Sequence, residues 1–200
     1  MKKIFVLLVA LFSTLAMVSA QSAEAWLTKL RSSLGERYAM NIAVTMGDDA
    51  PVAGFCMVEG DGYYITLGIM EVYSDGKLRY EINNERKEVV EDRVNLEACD
   101  LLSNPTRAFD FVPTEFYSEV TSTANECVVL LLTPKSEAMG ILSITLTLAV
   151  QGSAVLPTLL CYDYNGDAVT IALTPADTTS LKLRKWDKSA YKAYDIVSFL

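Results

Sequence analysis

The sequence predicts a mainly β protein of the α+β class, built on one curved antiparallel sheet that is covered by helices. In the stretch from Tyr38 to Met46, large apolar residues occupy every second position, which is the period of a strand with one buried face. Similar apolar runs, separated by turns rich in glycine, asparagine and aspartate, recur along the chain and predict about 10–11 strands. We expect so large a sheet to curl into a half-open, unclosed barrel.

The beginning of the chain has the order of a secretory signal. Two lysines precede an apolar run over residues 4–12, and a set of small residues ends at Ala20. We therefore predict a cleaved signal peptide over residues 1–20, followed by a single domain over residues 21–200. The alternative is an uncleaved membrane anchor, but the apolar core is shorter than the roughly 20 residues that span a bilayer.

Two stretches predict the helices that cover the sheet. From Ala23 to Arg37, leucines at positions 27, 30 and 34 recur at helical spacing, and Trp26 extends their stripe. From Asn95 to Phe116, the chain changes to a helical or irregular insertion that is rich in aromatic residues. A curved sheet closed by these two segments has an apolar interior, which is either a packed core or a cavity.

Composition excludes several classes of function. The chain has 25 acidic and 17 basic residues and no histidine. Its net charge of −8 repels phosphate backbones and anionic headgroups, so we expect neither nucleic acid nor a charged membrane surface as a partner. The absence of histidine removes Ser-His-Asp and Cys-His catalysis and histidine metal sites, and no GxSxG turn is present. We expect a protein that is not an enzyme, with no catalytic residue, metal ion or cofactor.

Four cysteines leave the disulfide state open. Cys56, Cys99, Cys127 and Cys161 are 43, 28 and 34 residues apart, so no CxxC motif or metal-ligand pair is present. Export permits disulfides, but four cysteines allow three pairings and their spacing does not select one. Three of the four lie in apolar, strand-like runs, which favours small buried side chains over bridges.

Several stretches follow one another in the order of a known family. Residues 72–80 read VYSDGKLRY, a strand–turn–strand hairpin, and residues 131–135 read LLTPK before a further apolar strand. Residues 163–171 read DYNGDAVTI, and the tail contains WDK at 186–188 with Tyr191. In this order the segments resemble the periplasmic lipoprotein carrier family, LolA, in its divergent form, and the likeness covers nearly all of residues 21–200.

The resemblance implies a fold, a location and a function. It implies a periplasmic chaperone with a lidded, half-open barrel, which shields the acyl chains of outer-membrane lipoproteins during transport. Its partners would be those acyl chains, an inner-membrane release complex and an outer-membrane acceptor, and we expect a monomer. An acyl chain gains about 0.8 kcal/mol for each CH₂ that is buried, so an apolar cavity holds it without specific chemistry.

One feature of the family is missing. In the carriers, the strand before the SDGK hairpin usually holds an arginine that ties the lid helices shut. The corresponding strand, residues 63–67, reads YYITL and has no arginine. Either Arg79 or Arg107 takes that role, or the lid is held in another way.

The candidate site consists of a cavity lining and a lid. The predicted lid residues are Trp26, Leu30 and Leu34. The predicted lining residues share an apolar side chain on a strand-like run and are Tyr38, Met40, Ile42, Val44, Met46, Phe55, Met57, Leu142, Ile144 and Leu146. The competing interpretation is an ordinary core under a packed helix.

Other functions remain open. A lipid-sensing or regulatory domain of the cell envelope would have the same fold, and a structural envelope protein is a further alternative. An enzyme with a lipid-like substrate has the least support, because the chain lacks histidine and a nucleophile turn.

Overall fold

The structure is a computed structural model that describes residues 21–96, 104–107, 109–110, 112–136, 141–164 and 166–200. The predicted signal peptide, Cys99 and Asn165 lie outside the described residues. Two helices, α1 (Ala23–Leu34) and α2 (Val112–Glu115), and two 3₁₀ turns, Pro105–Arg107 and Lys188–Tyr191, accompany the strands. The strands are β1 (Arg37–Met46), β2 (Val52–Glu59), β3 (Gly62–Leu67), β4 (Met70–Ser74), β5 (Leu78–Asn83), β6 (Glu88–Arg93), β7 (Phe116–Ala124), β8 (Cys127–Pro134), β9 (Ile144–Gln151), β10 (Ala154–Tyr164), β11 (Asp167–Pro175) and β12 (Asp195–Ser198).

These strands form one sheet in the order β12-β6-β5-β4-β3-β2-β1-β11-β10-β9-β8-β7. Neighbouring strands are antiparallel except β12, which runs parallel to β6. Within the described residues, β7 and β12 are the two edges of the sheet, so the barrel is not closed. The predicted fold class, a mainly β, unclosed antiparallel sheet with helical covers, is confirmed, with twelve strands rather than 10–11.

The sequence did not predict the two edge strands. The polar, exposed residues of β7 lack a clear apolar alternation, and β12 has only four residues, all of them exposed. Residues 181–184 alternate apolar and polar side chains, which by itself predicts a strand over residues 181–186, but this prediction is wrong because the segment crosses the sheet without joining its hydrogen-bond ladder. Apolar residues alternate from Leu142 onwards and predict a strand that starts there, but the strand begins at Ile144. The first helix ends at Leu34, because Gly35 follows with a φ of 61° that stops the helix.

The main core lies on one face of the sheet, here called the inner face. Its buried cluster joins the leucines of α1 to side chains from β1–β4 and β7–β11, and to Phe109 and Val112. Nine strands about 4.8 Å apart span roughly 40 Å, whereas a helix is only about 10–12 Å wide. A single helix therefore shares a core with all of these strands only because the sheet curves around it.

A segment after β11 covers part of the opposite, outer face. Residues 176–194, here called the strap, run from β11 to β12 across β3–β6. The indole of Trp186 is stacked between the rings of Tyr80 and Tyr191, with centroid distances of 4.5 and 4.9 Å. Below the strap, Ile82 and Val89 are fully buried. The strap thus completes a second hydrophobic cluster that is separate from the main core.

A half-buried carboxylate ties this second cluster together. Glu71 accepts hydrogen bonds from the hydroxyls of Tyr64 and Tyr73 and from the amide of Asn84, at 2.9–3.0 Å. Burial acts to raise the pKa of Glu71, but these hydrogen bonds and the nearby Arg184 outweigh it and lower the pKa. Glu71 is therefore ionised at neutral pH.

None of the helices in the described part of the chain has both the length and the apolar character that a membrane crossing requires.

Candidate functional site

Seven of the ten predicted lining residues lie on the inner face. Strand β1 contributes alternate residues from Tyr38 to Met46, and β9 contributes Ile144 and Leu146, because strand residues two apart share a face. The pairings of Met40 with Cys56 and of Ile42 with Leu173 continue this face onto β2 and β11. The structure therefore brings six of these residues together in the main core under α1, whereas Met46, at the end of β1, is 47% exposed.

The other three predicted lining residues lie elsewhere. Phe55 and Met57 point to the outer face, where Phe55 packs at the margin of the strap cluster. Leu142 precedes β9 and is 83% exposed. The sequence does not separate the faces of β2, because both sets of alternate residues in this strand include apolar side chains.

The centre of the inner face is filled by side chains. Met40, Ile42 and Leu146 are at most 3% exposed and share one buried cluster with Leu27 and Leu30 of α1. Towards the β3–β4 turn the same face opens into a groove of about 160 Å³, lined by Ile65, Leu67, Met70, Val72, Arg79 and Glu81. In the described structure the leucines of α1 thus fill the space against the centre of the inner face.

The predicted lid residues all lie on the side of α1 that faces the main core. Leu30 and Leu34 are buried in the main cluster, and Trp26 is half-buried at its margin. Leu27 is also buried and extends the same stripe. The hydroxyl of Ser22 caps the helix by accepting a hydrogen bond from the amide of Ala25 at 3.2 Å.

Arg31 connects α1 to the central insertion, residues 95–115. Its guanidinium donates hydrogen bonds to the carbonyls of Phe109 and Asp110, both at 3.0 Å. Its Nε also lies 3.0 Å from the Asp110 carboxylate, as an ion pair without the alignment of a hydrogen bond. These contacts join the two elements that cover the inner face.

The two arginines proposed from the sequence have other partners. Arg79 forms an ion pair with Glu81 on its own strand at 2.8 Å. Arg107 donates a hydrogen bond to the carbonyl of Leu96. Arg31, rather than either of these two arginines, joins α1 to the insertion. No sequence signal identified Arg31, because its partners lie 78 and 79 residues away in an irregular segment.

A second contact fixes the insertion to the sheet. The buried hydroxyl of Tyr38 donates a 2.6 Å hydrogen bond to the carbonyl of Pro105. Burial raises the pKa of Tyr38 well above its ordinary value, and the negative charges of Cys56 and Asp110 would act in the same direction. Tyr38 therefore stays neutral and keeps its proton for this bond.

The cysteines that the structure describes are free thiols. Cys56 is fully buried on the inner face, and Cys127 and Cys161 are half-buried. Burial raises the pKa of the Cys56 thiol to about 12. Within the described residues, no group of three or more Cys, Asp or Glu side chains is arranged to hold a metal ion.

Comparisons with known proteins concern the fold. No protein-family model matches the sequence, and no curated protein matches it. An uncharacterized conserved protein from Thermus thermophilus superposes with a TM-score of 0.57 at 7% identity, over 88% of this chain and 98% of that one. At this identity, the similarity shows a shared fold.

Two further solved structures are similar at lower TM-scores. LprF from Mycobacterium bovis has a TM-score of 0.45 at 10% identity, over 80% of this chain and 94% of that one. A LolA superfamily protein from Nitrosomonas europaea has a TM-score of 0.39 at 11% identity, over 86% of this chain and 98% of that one.

Proposed function

We propose that this protein is a periplasmic carrier that shields the acyl chains of lipoproteins on the inner face of its sheet. The observation that carries the proposal is the continuous apolar lining of that face, covered by a helix whose leucines reach into the core. An acyl chain that replaced those leucines would bury a comparable apolar surface. The order of sequence segments that resembles the LolA carriers supports the same function.

Loading would require α1 to move away from the sheet. Among the described residues, the polar contacts between α1 and the insertion are those of Arg31. Another polar tie is the bond from the Val155 amide to the hydroxyl of Ser33, at 2.8 Å. Moving α1 breaks these bonds and exposes its buried leucines, and the burial of an acyl chain of a dozen or more carbons in their place offsets that cost.

The two tryptophans of the chain provide a direct test. A Trp186→Phe variant leaves Trp26 on α1, and a Trp26→Phe variant leaves Trp186 in the strap. We expect a triacylated lipopeptide to shift the emission of the first variant and to leave that of the second unchanged. Native mass spectrometry should show one lipopeptide bound to each chain. A chain with no adduct and no change in Trp26 emission would contradict the proposal.

The filled interior favours one alternative, a regulatory domain of the cell envelope that works through its surface. Such a domain needs no space for a ligand, which agrees with the packing of Met40 and Leu146 against α1. In native mass spectrometry, a complex of this chain with an envelope protein, together with the absence of any lipopeptide adduct, would favour this alternative.

A further inference from the structure

One part of the sheet has no cover in the described structure. Helix α1 lies on the inner face, and the strap runs from β11 towards β3–β6. The strap begins over the start of β1, where Arg37 donates hydrogen bonds to the carbonyls of Thr178 and Leu181 and Ala39 is only 3% exposed. The outer face of β8, β9, β10 and β11, and of β1 beyond Ala39, is left bare in the described structure, and we call it the bare face. Its side chains include Val129, Leu131, Leu159 and Cys161, which are half-buried and belong to neither hydrophobic cluster.

The bare face carries no charge over most of its area. Strands β8 and β9 contain no charged residue. The charges of the other three strands are at strand ends, with Asp163 and Asp167 beside the β10–β11 turn and Arg37 at the start of β1. The chain as a whole has 42 charged residues, 25 acidic and 17 basic, so a charge-free area of five strands is a distinct feature of its surface.

We propose that the bare face binds the bare face of a second copy of this chain. Two chains with a net charge of −8 repel each other through most of their surfaces, and an uncharged face is where they approach with the least repulsion. The short side chains of threonine, alanine and valine make this face flat enough for a second sheet to stack on it at about 10 Å. This differs from the monomer expected from the sequence, and it does not depend on the proposed carrier function.

The area of the face determines the kind of dimer. Five strands about 4.8 Å apart, with about seven residues at 3.3 Å in each, cover roughly 20 by 23 Å. Two copies then bury on the order of 1,000 Å² in total, which is near the lower limit for a specific interface. We therefore infer a reversible dimer that forms with increasing concentration.

Sedimentation equilibrium tests this proposal. The average mass should rise from one chain towards two as the protein concentration increases, and more steeply at higher salt, because salt screens the like charges. Thr147→Lys and Ala172→Lys place a charge on the face and should each return the mass to one chain. Thr123→Lys adds the same charge on the exposed edge strand β7 and should leave the association unchanged.

Circular dichroism of each variant checks that the fold is intact. Ala172 is already exposed, so Ala172→Lys should disturb the fold less than Thr147→Lys. If the chain stays monomeric at every concentration, the proposal is wrong, even where the bare face binds detergent or another protein. A dimer that survives both lysine variants also overturns it.

Discussion

Arg31 and Asp110 form an ion pair, with 3.0 Å between Nε and the carboxylate, that joins helix α1 to the central insertion. Both side chains are more than a third exposed, at 36% and 44%, so the pair is partly screened by water. It lies above a core in which Cys56 is fully buried. Exposure of the Cys56 thiol would therefore report movement of α1 and the insertion away from the sheet.

We expect Asp110→Asn to speed the alkylation of Cys56 without unfolding the protein. An exposed ion pair contributes about 0.2–1 kcal/mol, which corresponds to at most about a fivefold increase in the population of an open lid. The native thiol is protected by burial, which also raises its pKa to about 12, so labelling requires opening. Mass-spectrometric peptide mapping measures the rate at Cys56 alone.

Glu59→Gln is the matched control for this experiment. It removes the ion pair between Arg37 and Glu59, which has a separation of 3.4 Å and comparable exposure but lies outside the lid. The rate at Cys56 should stay at its wild-type value. Equal acceleration by both variants would show that Cys56 reports general loosening and not movement of the lid.

We expect Leu30→Ala to lower stability and to create a binding site for apolar molecules. Leu30 is fully buried in the main core, so truncation should cost about 2–5 kcal/mol of unfolding free energy. The cavity that remains is apolar and should bind a fluorescent apolar probe more tightly than the wild type does. Ile82→Ala, in the strap cluster, should cost a similar amount, but a lipopeptide should displace the probe from Leu30→Ala alone; displacement from Ile82→Ala as well would contradict the assignment of the site to the inner face.

The hydrogen bonds to Glu71 make the stability of the protein sensitive to acid. Because the folded state lowers the pKa of Glu71 below its ordinary value of 4.5, the stabilisation is present above that value and is lost as the pH falls through the folded pKa. We expect the stability advantage of the wild type over Glu71→Gln to shrink between about pH 5 and pH 3. Urea unfolding at several pH values measures it, with the exposed Glu119→Gln as control. A constant difference would exclude ionised Glu71 as the cause.

We expect Trp186→Leu to release the strap. The variant loses two stacked aromatic contacts, each of which contributes about 0.5–1.5 kcal/mol beyond burial. Trypsin should then cut faster at the exposed lysines of the strap, such as Lys182 and Lys185, because local opening precedes cleavage. Tyr117→Leu replaces an exposed aromatic residue outside both hydrophobic clusters and should change the cleavage rate little.

Alternation along β1 and helical spacing in α1 were sufficient to predict the inner face and the helix that covers it. The same rule fails for Phe55 and Met57, because β2 is apolar on both sides and its register with β1 decides which side is inner. It also fails for β12, whose four exposed residues form a strand only because β6 offers a free edge.

The sequence by itself determined the fold class and a net charge of −8, because these depend on composition and on periodicity within short segments. Only the tertiary structure decided that Arg31 joins α1 to the central insertion, that the α1 leucines fill the interior, and that the strap leaves one outer face bare. Each of these depends on contacts between residues far apart in the chain, and local patterns of hydrophobicity do not encode which distant partner a side chain will meet.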